Sequence, residues 1–410
     1  MEYAFAQRMA SAHRSFIREI LKVTAEPDVI SFAGGLPNPE LFPFRGAARA
    51  ASVVLGSAWG PEPPSPPVLQ YSTTEGFPGL RQWIAARYKS KGLTVDAEDI
   101  LITTGSQQGL DLLAKVFLDA GDPVVIERPG YLGAIQAFSL FEPVFRGVEL
   151  QDDGPDLEQL ARALDGTGEQ GGPAKLFYAV TNFQNPSGLT YSKAKREAVA
   201  QLLKERSAIF VEDDPYGELR FSGEPLQPLC APVMERSILL GSFSKVAAPG
   251  FRVGWLVAPP EIREKLVIAK QAADLHTSTL TQRILFQYLE ENHIDDHIEL
   301  IRERYGKQRD VMVAAMEEHL PRSVSFTRPE GGMFLWATLP PGISSLELFD
   351  KAIACKVAFV PGTPFYPANA QGEPQGGRDT LRLNFSNTDE ERIKVGIARL
   401  GECFSSLGAA

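Results

Sequence analysis

Between about residue 80 and about residue 290, short apolar runs alternate with longer stretches in which apolar and charged positions recur at helical spacing. Ile100-Leu101-Ile102-Thr103, Pro123-Val124-Val125-Ile126, Leu176-Phe177-Tyr178-Ala179-Val180, Ala208-Ile209-Phe210-Val211 and Ile238-Leu239-Leu240 are nearly continuous apolar runs. A strand covered on both faces has no solvent side to keep polar, so such runs predict buried strands. Gln108 to Leu118 and Ser192 to Lys204 read as helices between them. Strands and helices in alternation predict an α/β fold with a parallel or mostly parallel sheet. From about residue 300 the pattern changes. A long charged helix (Ile301 to Leu320) precedes Met333-Phe334-Leu335-Trp336, Ala358-Phe359-Val360 and Leu381-Arg382-Leu383, which together predict a smaller α+β region. The proline-rich stretch 61–67 and the Gly/Pro-rich stretch 367–378 read as surface loops.

The chain's 410 residues suggest one large domain and a smaller one. Its formal net charge of -10 argues against a nucleic-acid or anionic-membrane partner, either of which calls for a basic patch. No apolar run approaches the roughly 20 residues that span a bilayer. Residues 1–20 mix charges among apolar positions and lack a signal-peptide core. Three widely spaced cysteines, Cys230, Cys355 and Cys403, have no metal-ligand spacing. A reduced chain in the cytoplasm is expected.

The chemistry collects where strands end. Ser242-Phe243-Ser244-Lys245 follows the run 238–240, and Arg252 lies on the returning apolar run. Most lysines are solvated, but this one has apolar flanks on both sides. Gly105-Ser106-Gln107-Gln108-Gly109 opens a helix after the strand ending at Thr103. The free N–H groups of a first helical turn bind anions, although Ser106 alone would pass for an ordinary cap. Three acids, Glu212-Asp213-Asp214, follow Ile209-Phe210-Val211, and Tyr216 comes soon after. In an open α/β sheet ligands bind at the carboxyl ends of strands. Acids there would suit a protonated nitrogen or a Mg²⁺ ion, and no phosphate-loop lysine motif accompanies them to favour the metal. Asn185, in the turn Asn185-Pro186-Ser187-Gly188, and Tyr131 fall at two more strand ends. A phosphate site, a carboxylate, an asparagine, tyrosines and a lysine on one rim together match pyridoxal 5′-phosphate.

These motifs, in this order, resemble the class I aminotransferases among the fold-type I pyridoxal-phosphate enzymes, nearest the group of 2-aminoadipate and kynurenine aminotransferases. The likeness runs from Ser31-Phe32-Ala33-Gly34-Gly35-Leu36-Pro37 through Leu69-Gln70-Tyr71-Ser72 to Gly331-Gly332-Met333-Phe334 and Leu381-Arg382-Leu383. It implies an N-terminal arm with a mobile helix and part of the small domain (1–50), and a large domain (51–295) on a mostly parallel seven-stranded sheet with helices on both faces. A small α+β domain (296–410) completes the chain.

The resemblance also implies roles. Lys245 condenses with the cofactor aldehyde and later acts as the general base at the substrate Cα. Asp213, three residues before Tyr216, pairs with the pyridine nitrogen. Tyr216 and Asn185 hold the phenolic oxygen, and Tyr131 stacks on the ring. Ser106, Gln107, Ser242, Ser244 and Arg252 hold the phosphate. Tyr71 reaches the cofactor phosphate of a partner subunit, which makes the active unit a homodimer. Arg382, with Asn185, binds the substrate α-carboxylate, and Gly35 lets the substrate approach closely. Arg18, on the mobile helix, meets acidic side chains. The implied reaction takes an amino group from glutamate, 2-aminoadipate, leucine or an aromatic amino acid to a 2-oxo acid such as 2-oxoglutarate. A β-lyase or a cyclase on the same cofactor residues, or an effector-sensing regulator, is the rival. About 30 residues precede Gly34, few for a DNA-binding module.

Overall fold

The computed structural model describes residues 3–9, 28–56, 68–166, 172–368 and 373–405. Its strands in chain order are β1 (Ile30–Ser31), β2 (Ile100–Thr103), β3 (Pro123–Arg128), β4 (Val144–Gln151), β5 (Gly154–Pro155), β6 (Leu176–Ala179) and β7 (Ile209–Asp213). Then come β8 (Ser237–Ser242), β9 (Gly254–Val257), β10 (Ser325–Phe326), β11 (Phe334–Thr338), β12 (Val357–Ala358), β13 (Val360–Pro361) and β14 (Thr380–Asn384).

The main sheet runs β2-β9-β8-β7-β6-β3-β4-β5. From β8 to β4 neighbouring strands are parallel, and β9 is antiparallel to both β8 and β2. The continuous apolar runs form its centre: Ile100, Leu101 and Ile102 are fully buried, as are Val124, Val125 and Ile126. Each such side chain stabilises the fold by about 1.5–3 kcal/mol relative to exposure. The expectation of seven strands needs correction to eight. Gly154–Pro155 adds a two-residue antiparallel edge on β4, too short to leave an apolar signature. β4 itself alternates buried and partly exposed positions, as a strand near a sheet edge does.

Helix boundaries moved by a few residues. The helix predicted from Gln108 begins at Ser106, with Gly105 as its N-cap. Ser192 caps rather than begins the helix Lys193–Lys204, its side chain accepting from the Lys195 N–H. The long helix is Ile294–His319, one turn and more earlier than its charge pattern suggested.

The C-terminal part carries an antiparallel sheet in the order β10-β11-β14-β13. The N-terminal strand β1 pairs in parallel with β12, and Phe32 N–H donates to Ala358 O at 2.7 Å. Asn384 N–H in turn donates to Phe32 O at 2.8 Å. The Gly34-Gly35 loop is therefore anchored by C-terminal strands. A small cluster of Val29, Ala33, Leu132, Trp336, Ala358, Val360 and Phe365 joins those strands to the main-sheet loop after β3. Gly130 N–H also donates to Phe365 O at 2.7 Å across that junction. Among the described residues no helix is long and apolar enough to cross a membrane.

Candidate active site

The ends of β3, β6, β7 and β8 and the junctions of β2 and β9 open on one cavity of about 400 Å³. The register brings Thr103 and Ser242 on opposite sides of Gly254, so the end of β2, the end of β8 and the start of β9 share one edge. Lys245, Asp213, Tyr216, Ser106, Gln107, Tyr131, Asn185, Ser242, Ser244, Arg252, Arg382 and Gly35 all line it. Twelve of the fourteen residues singled out from sequence thus meet at one place. Tyr71 stands outside it, 79% exposed, with its ring edge-on to His276 at 6.0 Å. Arg18, like the loop 61–67, lies outside the described residues.

Lys245 Nζ donates to Gly35 O at 3.1 Å and sits 5.9 Å from the centre of the Tyr216 ring. Burial first, then the charges of Arg382 and Arg252, lower its amine from 10.5 to about 8. That puts a fraction of free amine within reach of neutral pH.

Asp213 ends β7 and is 1% exposed. Tyr178 OH donates to its Oδ2 at 2.7 Å, whereas Oδ1 is buried with no partner among the described residues. Burial pushes this carboxyl up to about 7 against the pull of the Tyr178 hydrogen bond. A buried bare carboxylate oxygen is expensive and calls for a cationic donor. Tyr216 is 4% exposed, and burial raises its hydroxyl well above the usual phenol range, so it stays protonated. Burial raises Tyr131, the N-cap of helix Leu132–Ser139, to about 12, so its hydroxyl stays protonated.

An anion cradle faces this group. Gly105 has φ +77, and a Cβ there would come within 2.6 Å of Arg252 Nη2. Only glycine lets the guanidinium lie against the first turn of helix Ser106–Phe117. A Cβ on Gly254 would meet the Ser106 nitrogen at 2.7 Å, so the same turn is pressed from below. Arg252 itself adopts a left-handed backbone, φ +51, a conformation uncommon for a non-glycine residue. Ser242 Oγ accepts from the Ser244 N–H at 3.1 Å, which shapes the turn into Lys245. The Gln107 side-chain amide is turned away to Gly133 O at 3.0 Å.

At the other end Arg382, on β14, is 1% exposed. It donates to Asn185 Oδ1 and Ala33 O, each at 2.8 Å, and among the described residues no carboxylate forms an ion pair with it. Its guanidinium lies 4.4 Å from the Phe334 ring centre. Burial lowers it from 12.5 to about 10, which leaves it cationic at neutral pH.

Two contributors escaped the sequence reading. Tyr178 reads as one more apolar strand residue, though it holds Asp213. Glu127, fully buried at the end of β3, accepts from Val180 N–H, Gln184 Nε2 and Tyr191 OH. Gln184 Nε2 also donates to Pro129 O at 2.7 Å, tying the Tyr131 loop to the Asn185 turn. The signal was an acid continuing an apolar strand, as at Asp213.

The donor set fits pyridoxal 5′-phosphate. A buried amine suits its aldehyde, the bare Asp213 oxygen suits a protonated ring nitrogen, and the helix start with Arg252 suits its phosphate. Among the described residues no group of acids, histidines and cysteines could hold a metal ion instead.

Comparison with known proteins agrees. The family model for aminotransferases of class I and II matches residues 63–400. Aromatic-amino-acid aminotransferase 1 of Thermococcus litoralis is 43% identical over 406 residues, covering 98% of this chain and 94% of that protein. The 2-aminoadipate transaminase of Thermus thermophilus is also 43% identical, over 408 residues, with 98% and 97% covered. The structure of the kynurenine aminotransferase of Pyrococcus horikoshii, in complex with PMP, superposes with a TM-score of 0.91 at 41% identity, over 99% of this chain and 98% of that one. The α-aminoadipate aminotransferase of Thermus thermophilus, complexed with N-(5′-phosphopyridoxyl)-L-leucine, gives 0.88 at 42%, over 99% and 98%. This chain therefore belongs to the class I and II aminotransferases, as a fold-type I enzyme that uses pyridoxal phosphate.

Proposed function

We propose that this aminotransferase moves the amino group of an L-amino acid to a 2-oxo acid such as 2-oxoglutarate, in two half-reactions that both pass through Lys245. The observation that carries the reading is one cavity lined by a buried amine, a buried carboxyl with a bare oxygen and a buried, unbalanced guanidinium. Pyridoxal phosphate, when bound, supplies an aldehyde that joins an amine and a protonated ring that draws electrons from the substrate Cα.

The chain's own residues divide the rest. Asp213 would keep the ring nitrogen protonated through its bare Oδ1, with Tyr178 fixing the other oxygen. Asn185 and Tyr216 would hold the phenolic oxygen, and Tyr131 would cover the ring face. Ser106, Ser242, Ser244 and Arg252 would hold the phosphate, with Gln107 contributing its backbone N–H from the first helical turn. Arg382, whose partners are neutral oxygens, keeps its charge available for the substrate α-carboxylate. Gly35 has no side chain to obstruct the substrate beside Lys245. Once a substrate amine has taken its place, Lys245 is free to accept the Cα proton. An amine near 8 does this at neutral pH far better than one at 10.5.

Glutamate, 2-aminoadipate, leucine and aromatic amino acids are the donors we propose. The names of the relatives support this range. The described cations at the cavity are Lys245, Arg252 and Arg382, and each already has a task. A side-chain carboxylate therefore needs a further cation, and Arg18 is the one proposed. Tyr71, so exposed in one chain, would complete the phosphate site of a second copy in a homodimer. Three cysteines that form no disulfide among the described residues suit a reducing cytoplasm.

A donor panel with 2-oxoglutarate tests the reading: glutamate, 2-aminoadipate, leucine, phenylalanine, kynurenine and alanine. Transfer from several acidic and apolar donors is expected, and release of ammonia without transfer would refute it. Arg18→Ala should weaken acidic donors more than leucine or phenylalanine; equal losses would remove Arg18 from the site.

A further inference from the structure

Behind the anion cradle lies a buried lysine that the reaction does not use. Lys270, on helix Pro260–Ala273, is fully buried. Its ammonium donates to Gln108 Oε1 at 2.7 Å, to Asp274 Oδ1 at 2.8 Å and Oδ2 at 3.1 Å, and to Thr277 Oγ1 at 3.1 Å. Gln108 Oε1 also accepts the Thr104 N–H at 2.8 Å, and Gln108 Nε2 donates to Asp274 Oδ2 at 2.7 Å. Thr104 Oγ1 donates to the same carboxylate oxygen at 3.1 Å. Thr104 is thus held at its N–H by Gln108 and at its carbonyl by Arg252 Nη2, 3.4 Å away. The next residues are Gly105 and Ser106, the start of the helix that faces the anion.

Gly105 has no side chain with which to cap that helix. The first turn is instead set from outside, by Gln108 reaching back to Thr104 and by Lys270 holding Gln108. The same ammonium anchors the loop 274–277. There, His276 Nε2 accepts the Ser72 N–H at 3.3 Å, beside Tyr71. Asp274 is partly exposed, and desolvating the buried ammonium offsets its attraction to that carboxylate, so the pair adds little net stability. What it supplies is position.

We propose that Lys270 is a positioning residue for the phosphate cradle, aligning the Thr104–Ser106 turn and the 274–277 loop through Gln108, Asp274 and Thr277. This rests on the reading of that cradle as the cofactor phosphate site. Lys270 acts only through other groups, so its loss weakens recognition of the phosphate and leaves capture of the aldehyde by Lys245 intact.

The test compares two ligands on apo-enzyme: pyridoxal phosphate, and pyridoxal, which lacks the phosphate. Wild type should bind pyridoxal phosphate far more tightly. In Lys270→Met its Kd should rise on the order of tenfold, while the Kd for pyridoxal stays within about twofold. Circular dichroism checks that the variant is folded. If it does not fold, Gln108→Leu carries the same comparison with the Lys270–Asp274 pair intact. An unchanged Kd for pyridoxal phosphate, or an equal loss for both ligands, overturns the role given to Lys270. A wild type that binds the two ligands equally overturns the cradle itself, a separate outcome.

Discussion

Glu212 and Asp213 are neighbours on one strand, both acids and both buried, yet the protein treats them in opposite ways. Glu212 accepts from Thr181 Oγ1, from Leu229 N–H at 3.1 Å and from Cys230 N–H at 2.8 Å, with Arg196 Nη1 at 3.6 Å. Arg196 is itself bonded to Tyr191 O, Thr181 O and Asn182 Oδ1. Asp213 has one hydrogen bond, from Tyr178, and one bare oxygen. Successive side chains of a strand point to opposite faces, so one acid enters the scaffold and the next enters the cavity. Satisfied charge marks structure, and charge left in want of a partner marks the ligand.

That contrast can be broken in several ways. The largest effect belongs to Asp213→Asn: kcat/KM should fall on the order of a thousandfold in a folded protein. A loss under about tenfold would erase the distinction. Glu212→Ala should instead cost about 3–5 kcal/mol of stability, because buried Arg196 loses its counter-charge and the Leu229 and Cys230 N–H groups lose their acceptor. Denaturant melts check this, and an unchanged midpoint would contradict the scaffold role.

Apo-enzyme offers a pH test of intermediate size. Asp213, raised to about 7, stays protonated in the fold at pH values where the unfolded chain, near 3.8, has lost its proton. Its contribution to stability therefore falls as pH rises from about 4 to about 7. Apo Asp213→Asn at pH 8 should be more stable than apo wild type by roughly 2–4 kcal/mol. Lys245 works in the other direction: lowered to about 8, it contributes stability that rises with pH between about 8 and 10.5. Equal melts for the two apo proteins at pH 8 would show that Asp213 carries no penalty. The smallest effect is Tyr178→Phe, which removes the one donor to the Asp213 carboxylate among the described residues. It should lower kcat about tenfold and shift the pH dependence of cofactor absorbance. An unshifted spectrum would make Tyr178 ordinary packing.

Much of this contrast was legible in the sequence. The buried strands were continuous apolar runs, and the acids, the lysine and the asparagine stood at their ends. Spacing from Tyr216 picked out Asp213 through family resemblance alone; strand alternation now supplies the physical reason. Other parts had no local signal. Tyr178 lies 35 residues from Asp213, and Lys270 lies 162 from Gln108. Which buried residues pair over such separations is decided by sheet order and helix packing, and no short window of sequence records it. Strand β5 was missed because two residues cannot show a period.

The central claim is that the cavity beside the bare Asp213 oxygen takes pyridoxal phosphate on Lys245. Reduction of the loaded enzyme with borohydride, followed by peptide mass mapping, tests it most directly. The account predicts one phosphopyridoxyl group per chain, carried by the peptide containing Lys245 and absent from Lys245→Ala. A label on Lys270 or another lysine, or a label unaffected by Lys245→Ala, would contradict it.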